Sequence, residues 1–592
     1  MQKTPSALRR SAVLLALLCL GGAAVAQTAP RASRSQNVTI NLINRLVERG
    51  ALTPADASEL IRMAEEDAVA AKAEAAATVA AAPAPAPAPA AVAQAAPAEE
   101  AVPADTVRVT YIPEAVKRQM VEEIRGEVMD QAVAERWAAP RTLPEWTERI
   151  KLFGDFRFRY EGLYYPHGND NTGAFPNFNA INTGAPFDIT GTVFSPQLNA
   201  DQERSRLRIR ARGGLSADLG ENFSSGLRLA TGENNSPVTQ NQSLGAAGNA
   251  QGGNFAKYAV WLDRAFLKYE LTAHPGETYT ATVGRFDNPF FATSLLWADD
   301  LGFDGAVVQG KRPLNEKLSP YLTAGVFPVF NTDLNFSTTQ PAKFKSQDKW
   351  LKAVQVGADA TVGEALGFKL GVAYYDFQNI EGKLSTPFTP VVSSDNGDTD
   401  ALRPAFAQKG NTYMALRSIV PSALNNFGAI NQWQYFGLAT PFRDLAFTGK
   451  VDLHSFDPIH LSLSGEYVRN LAFDRGQIAP KAVNNLGATS TAFVGGDTGW
   501  TVNLRLGTAA LEKRWDWNVN AGYRYVESDA VVDGFNDSDF GGGGTNLKGV
   551  ILSANLALSA RVWLGVRWLS ANSISGPTYK QDTLQIDTNA KF

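Results

Sequence analysis

Between Ser205 and Leu219 the chain reads SRLRIRARGGLSADL, and two rows of side chains are interleaved in it. Leu207, Ile209, Ala211, Gly213, Leu215, Ala217 and Leu219 form one row. Arg206, Arg208, Arg210, Arg212, Gly214, Ser216 and Asp218 form the other. A β-strand sends successive side chains to opposite faces, so this stretch has one apolar and one charged face. A helix would spread the four arginines around its circumference. Taken alone, the stretch fits a half-exposed strand of a soluble sandwich as well as it fits a membrane wall. The rest of the chain breaks the tie.

Period-2 segments recur from about Ile150 to Phe592. About sixteen are expected, each near the 9–11 residues that cross a bilayer as a tilted strand. They lie near 150–164, 203–219, 222–231, 258–271, 279–286, 303–311, 317–329, 349–361, 365–377, 443–454, 459–471, 497–508, 514–527, 546–557, 560–571 and 581–592. The fifth, Tyr279 to Phe286, has no readable phase. Short links such as Gly220-Glu221 and Phe456-Asp457-Pro458 alternate with long ones rich in Gly, Asn, Asp, Ser and Thr. Short turns on one rim and long loops on the other describe a transmembrane antiparallel β-barrel. The apolar rows end in Tyr160, Tyr164, Trp500, Trp515, Tyr523 and Trp568, which suit interfacial girdles. The opposite rows carry Arg, Lys, Asp, Asn, Ser and Gly, which cannot pack as a dry core but can line water.

The residues before the barrel divide into distinct textures. Residues 1–26 have a basic start (Lys3, Arg9, Arg10), an apolar run and Ala24-Val25-Ala26, the layout of a cleaved secretory signal. The one cysteine, Cys19, falls inside it, so the mature chain has no disulfide or thiolate chemistry. Residues 27–79 are expected to form a helical hairpin, with Thr53-Pro54-Ala55-Asp56 as a helix start. Residues 80–104, with PAPAPAPA at their centre, are too poor in bulky apolar groups to fold and form an extended linker. Residues 105–146 hold an amphipathic helix with Val116, Met120, Ile124 and Val128 four apart. It is either a short coiled coil that oligomerises the chain or a helix docked on its own chain. Residues 147–592 are the barrel. The formal net charge of −4 gives no argument for nucleic acid.

The stretches YIPEAVKRQMVEEIRGEV, WAAPRTLPEWTERIKLFGDFRFRYE, VGRFDNPFF and WADDLGFDGAVVQG, with the terminal Phe592, resemble the Gram-negative outer-membrane porins. More closely, the chain is similar to the putative porin family with an N-terminal helical extension. The resemblance implies a water-filled channel for passive diffusion of small hydrophilic solutes or ions. It places the barrel in outer-membrane lipid and the N-terminal extension in the periplasm, where it trimerises the barrels or holds them near the cell wall. Phe592 looks like the terminal signature read by the outer-membrane assembly machinery. The competing reading is a surface adhesion barrel using its long loops, above all the one near 378–442.

Lys151, Arg157, Arg159, Arg206, Arg208, Arg210 and Arg212 are expected to share one inner wall, with Arg228 extending it. Asp155, Glu161 and Asp218 stand in the same rows and relieve part of the field. The link from Asp287 to Gly302 reads DNPFFATSLLWADDLG, too apolar for a solvent-exposed tip. By resemblance it is the third loop, which folds inward to constrict the pore. Asp299, Asp300 and Asp304 would then face the arginines. No catalytic residue, cofactor or metal site is assigned. G-x-S-x-G is absent, and His454 and His460, which flank a turn, have only Asp452 and Asp457 beside them.

Overall fold

The computed structural model describes residues 150–592, apart from 249–251, 333–340, 342 and 488–491, with a few positions between 121 and 149. Among the latter Val121, Glu122, Ile124, Gly126 and Val128 are helical. The expected signal segment, helical hairpin and Ala/Pro linker lie outside the described residues.

Sixteen long strands carry the fold. They are β1 (Ile150–Tyr164), β2 (Arg204–Gly220), β3 (Phe223–Thr231), β4 (Val260–His274), β5 (Glu277–Asp287), β6 (Gly302–Lys311), β7 (Leu318–Phe330) and β8 (Lys349–Val362). They continue as β9 (Leu366–Gln378), β10 (Phe442–Phe456), β11 (Ile459–Asn470), β12 (Thr498–Thr508), β13 (Trp517–Val526), β14 (Leu547–Ala557), β15 (Val562–Ser573) and β16 (Lys580–Lys591). Each pairs antiparallel with its neighbour in sequence. β16 returns to β1 with Ile586 opposite Tyr160, which closes the barrel. Closure leaves no unpaired edge, the condition a bilayer imposes on strands.

Side chains on the outside belong to the apolar rows: Leu207, Leu227, Val283, Leu370, Leu463 and Val566 are all exposed. Tyr164 stacks on Trp568 with ring centroids 6.3 Å apart, and Trp500 stacks on Tyr523 at 5.5 Å. A one-residue slip of any strand would turn these rows into the lumen, so the bilayer fixes the register. At the seam, Gly154 and Phe592 exchange two backbone hydrogen bonds of 3.0 Å. The Phe592 ring lies over Gly154, where a Cβ would come within 2.4 Å of it.

The links alternate as expected. Seven short turns occupy one rim, and the other carries eight loops: loop 1 (165–203), loop 2 (232–259), loop 3 (288–301), loop 4 (331–348), loop 5 (379–441), loop 6 (471–497), loop 7 (527–546) and loop 8 (574–579). The interior holds more apolar packing than the single inward loop expected from the sequence. Loops 3, 5 and 7 fold inward and share an apolar cluster. Leu295, Trp297, Leu402, Tyr413, Leu416, Val531 and Phe540 are buried there against the inward-facing Phe303, Phe327, Tyr375 and Phe377. Each such side chain contributes about 1.5–3 kcal/mol by leaving water. Towards the short-turn rim the interior is polar. Two hollows of about 470 and 440 Å³ are lined by Arg505, Asn518, Asn520 and Asn555 on one side and Lys311, Asp359, Lys369 and Lys450 on the other.

Candidate functional site: an arginine wall beneath an inward-folded loop

The β1–β2 register sets Arg157 opposite Arg210 and Arg159 opposite Arg208. Unit charges about 5 Å apart repel by about 3 kcal/mol at an effective dielectric of 20. Two such pairs in adjacent rungs require compensation, and the same register supplies part of it. Asp155 stands opposite Arg212 and Glu161 opposite Arg206. Asp155 accepts from Arg212 Nε at 2.7 Å and from Arg210 Nη2 at 3.0 Å. Glu161 takes Arg206 at 2.5 Å and Arg208 at 3.3 Å. Arg159 lies across Asp587 of β16, with bonds of 2.7 and 2.8 Å in the bidentate geometry that guanidinium favours. Arg157 donates to the Asn241 side chain of loop 2 at 2.5 Å.

Further compensation comes from loops. Asp539 of loop 7 is 3.2 Å from Arg159 and 3.0 Å from Arg567. Burial alone would raise its carboxyl, but the guanidiniums of Arg159, Arg567, Arg157 and Arg208 hold it far below the usual carboxylate range. Asp300 of loop 3 lies 3.1 Å from Arg210 and 3.5 Å from Arg212. It also accepts the backbone N–H of Gln240 at 3.2 Å.

Loop 3 reaches Asp300 by crossing the interior. Its first residues follow β5. Phe291 N–H then donates to Gln355 of β8 at 2.8 Å, and Thr293 donates to Glu466 of β11 through N–H (3.1 Å) and hydroxyl (2.6 Å). Ser294 accepts from Arg524 of β13 at 2.7 Å, and Ala298 N–H reaches the Phe535 carbonyl of loop 7 at 2.8 Å. Glu466 and Arg524 lie on strands five and seven places along the barrel from β6. The two ends of the loop are held together by Arg264. It bonds Asp287 at 2.8 Å before the loop and the Leu301 carbonyl at 3.0 Å after it. Arg228 joins this cluster through Asp263 (2.5 Å) and Asp287 (2.9 Å).

Of the residues singled out in the sequence, the structure brings Arg157, Arg159, Arg206, Arg208, Arg210 and Arg212 into one network with Asp300. Arg228 extends the same inner face from the foot of loop 3. Lys151 stands in the β1 row nearer the short-turn rim, is exposed, and lies outside these ion pairs. Asp218 caps its own turn through the Gly220 N–H at 2.9 Å and takes no part in the wall. Asp299 keeps contact with solvent, yet the protein crowded around it and the neighbouring Asp537 and Asp300 carboxylates push its carboxyl up. Asp304 pairs with Arg285 of β5 at 2.7 Å rather than with the β1–β2 arginines.

Sequence reasoning missed Arg264, Arg524, Arg567, Asp539 and Asp587. Arg524 and Arg567 could have been read from the inward rows of their strands. Asp539 sits in a polar loop, where nothing in the sequence marks an inward direction.

A search of curated proteins found no match. Among solved structures the chain is similar to the outer membrane channel DcaP of Acinetobacter baumannii, with 10% identity and a TM-score of 0.34 over 75% of this chain and 97% of that one. It is also similar to OprB of Pseudomonas putida, with 11% identity and a TM-score of 0.38 over 75% and 95% of the two chains. For OmpF of Salmonella typhi in complex with daunomycin the values are 11% and 0.33, over 75% and 97%. The family model described as "Putative porin" matches residues 36–592, and the chain therefore belongs to the putative porin family of outer-membrane channels.

Proposed function

We propose that the protein is a passive diffusion channel for small hydrophilic solutes or ions, and that its selective point lies where loop 3 meets the β2 arginines. The observation that carries this reading is Asp300. A loop carboxylate, carried across the interior, stands within 3.5 Å of two arginines rooted in the wall. Fixed charges of opposite sign across a narrow passage orient dipolar solutes and discriminate between ions, while apolar solutes gain nothing from the field. Carboxylates offset most of the arginine charge and leave the wall positive, Arg157 meeting only the Asn241 amide. The adhesion reading loses ground because loop 5 is packed into the mouth. Lys349 of β8 donates to the Leu402 and Arg403 carbonyls at 2.9 and 2.8 Å, and Tyr413 and Leu416 are fully buried.

In this reading residues 1–26 are cleaved on export, the N-terminal extension lies in the periplasm and joins the barrels as trimers, and Phe592 presents the assembly signal. Planar-bilayer recording of the purified chain tests the channel. Discrete conductance steps are expected, and Arg208→Ser with Arg210→Ser should move the zero-current potential under a KCl gradient towards cations. A closed bilayer, or an unmoved potential in the double variant, counts against the proposal.

A further inference from the structure

The turn between β10 and β11 gathers half of the chain's four histidines. Outward positions here are Val451 and Leu453 on β10 and Leu461 and Leu463 on β11. Asp452, His454 and His460 therefore share the inner face near the short-turn rim, remote from the arginine wall. One ligand atom from each lies within 4.8 Å of the others. His460 Nδ1 is 3.2 Å from Asp452 Oδ2, and its Nε2 is 3.7 Å from Asp457 Oδ1. The two imidazole rings are 5.6 Å apart, centroid to centroid.

We infer that Asp452, His454 and His460 form a binding site for a divalent transition-metal ion, Zn²⁺ being the best fit, at the short-turn mouth of the barrel. Tetrahedral zinc with bonds of about 2.0–2.1 Å places its ligand atoms about 3.3 Å apart. The His460–Asp452 separation already meets that spacing. His454 closes the remainder by turning about its half-exposed side chain. Outer contacts orient the donors. His454 Nε2 lies 3.0 Å from the Glu364 carbonyl, which can only accept, so Nε2 carries the proton and Nδ1 keeps its lone pair for the metal. The Ser462 hydroxyl donates to Asp452 Oδ1, which leaves Oδ2 as the ligand oxygen. Water supplies the fourth position, while Asp457 faces the other ring nitrogen of His460.

The donor set also selects the ion. Two imidazoles and one carboxylate suit Zn²⁺, Cu²⁺ or Ni²⁺, whereas Ca²⁺ and Mg²⁺ want oxygen cages. Lys450, one step along the same inward row, offsets the Asp452 charge and weighs further against ions held by charge alone. This inference is independent of the pore reading, because it concerns binding and not conduction.

The test uses the untagged full chain in detergent, freed of metal with a chelator and titrated with ZnCl₂ by calorimetry. One Zn²⁺ per chain at micromolar concentration is expected, unaffected by a thousandfold excess of MgCl₂. His454→Ala and His460→Ala should each weaken binding by at least tenfold, while the heat-dependent gel migration of the barrel stays that of the parent. Equal zinc affinity in parent and both variants, or displacement by Mg²⁺, overturns the site. If a variant loses the barrel's migration, Asp452→Asn provides the same comparison. Parent and Asp452→Asn binding alike would then overturn it.

Discussion

Replacing Asp300 with Asn removes one charge at the narrow point while keeping the side chain's shape. Its oxygen can still accept the Gln240 N–H. Loop 3 keeps its other anchors, Phe291 on Gln355, Thr293 on Glu466 and Arg524 on Ser294. The loop therefore stays in place and the field changes. An ion passing about 5 Å from the lost charge feels a change of about 0.8 kcal/mol in full water screening and about 3 kcal/mol at an effective dielectric of 20. The lower figure alone favours an anion about fourfold and disfavours a cation by the same factor. The anion-to-cation permeability ratio should rise by more than about tenfold, read as the zero-current potential across a planar bilayer under a KCl gradient. The shift should shrink in 1 M salt, where the screening length falls to about 3 Å from about 10 Å at 0.1 M. Asp304→Asn, which removes the same charge beside Arg285 and outside the β1–β2 ion pairs, should leave the potential where it was. Equal responses of the two variants would refute the reasoning.

Glu161→Gln leaves Arg206 and the buried Arg208 without their carboxylate, and breaking a buried pair costs about 3–5 kcal/mol. A matching loss should be read from denaturant unfolding in detergent, and a change below about 1 kcal/mol would mean that water or neighbouring acids replace it. Loop packing should depend on pH. Burial pushes Asp533 up to about 7 and Asp529 up to about 6, with only partial relief from Tyr413 and Thr412. Both folded-state values stand above the ordinary carboxylate value. Their stabilisation is therefore complete below about pH 4 and is lost as pH rises through 6 and 7. Hydrogen exchange of residues 411–413 and 529–533, corrected for intrinsic rates, should be slower at pH 5 than at pH 7.5, and Asp533→Asn should flatten the difference. Slower exchange at pH 7.5 would contradict the assignment.

The strands were legible because a bilayer demands strict alternation. The segment expected near 443–454 is observed as Phe442–Phe456, and even the unphased fifth segment appears as Glu277–Asp287. Phase failed where the two faces carry similar residues. In β6 both Val307 and Val308 are apolar, yet Val307 is buried inside and Val308 is exposed outside. Nothing in GFDGAVVQG distinguishes the two settings. Loop 3 announced its inward path through Phe290, Leu295 and Trp297 packed closely in sequence. Loops 5 and 7 did not, because Tyr413, Leu416, Val531 and Phe540 are diluted among polar residues and find one another only across the barrel mouth.

The arginine wall and the inward loops depend on each other. Strand register alone sets arginine against arginine at two rungs, and Asp155, Glu161 and Asp587 answer only part of that repulsion. Asp300 and Asp539 add to that compensation, and both arrive on loops. Those loops stay inside because their apolar side chains pack against Phe303, Phe327, Tyr375 and Phe377 on the wall. The ion pairs are only partly exposed, and lower local screening strengthens each of them relative to an open surface. A change that loosens the cluster without touching the β1–β2 arginines should therefore weaken ion discrimination along with loop stability.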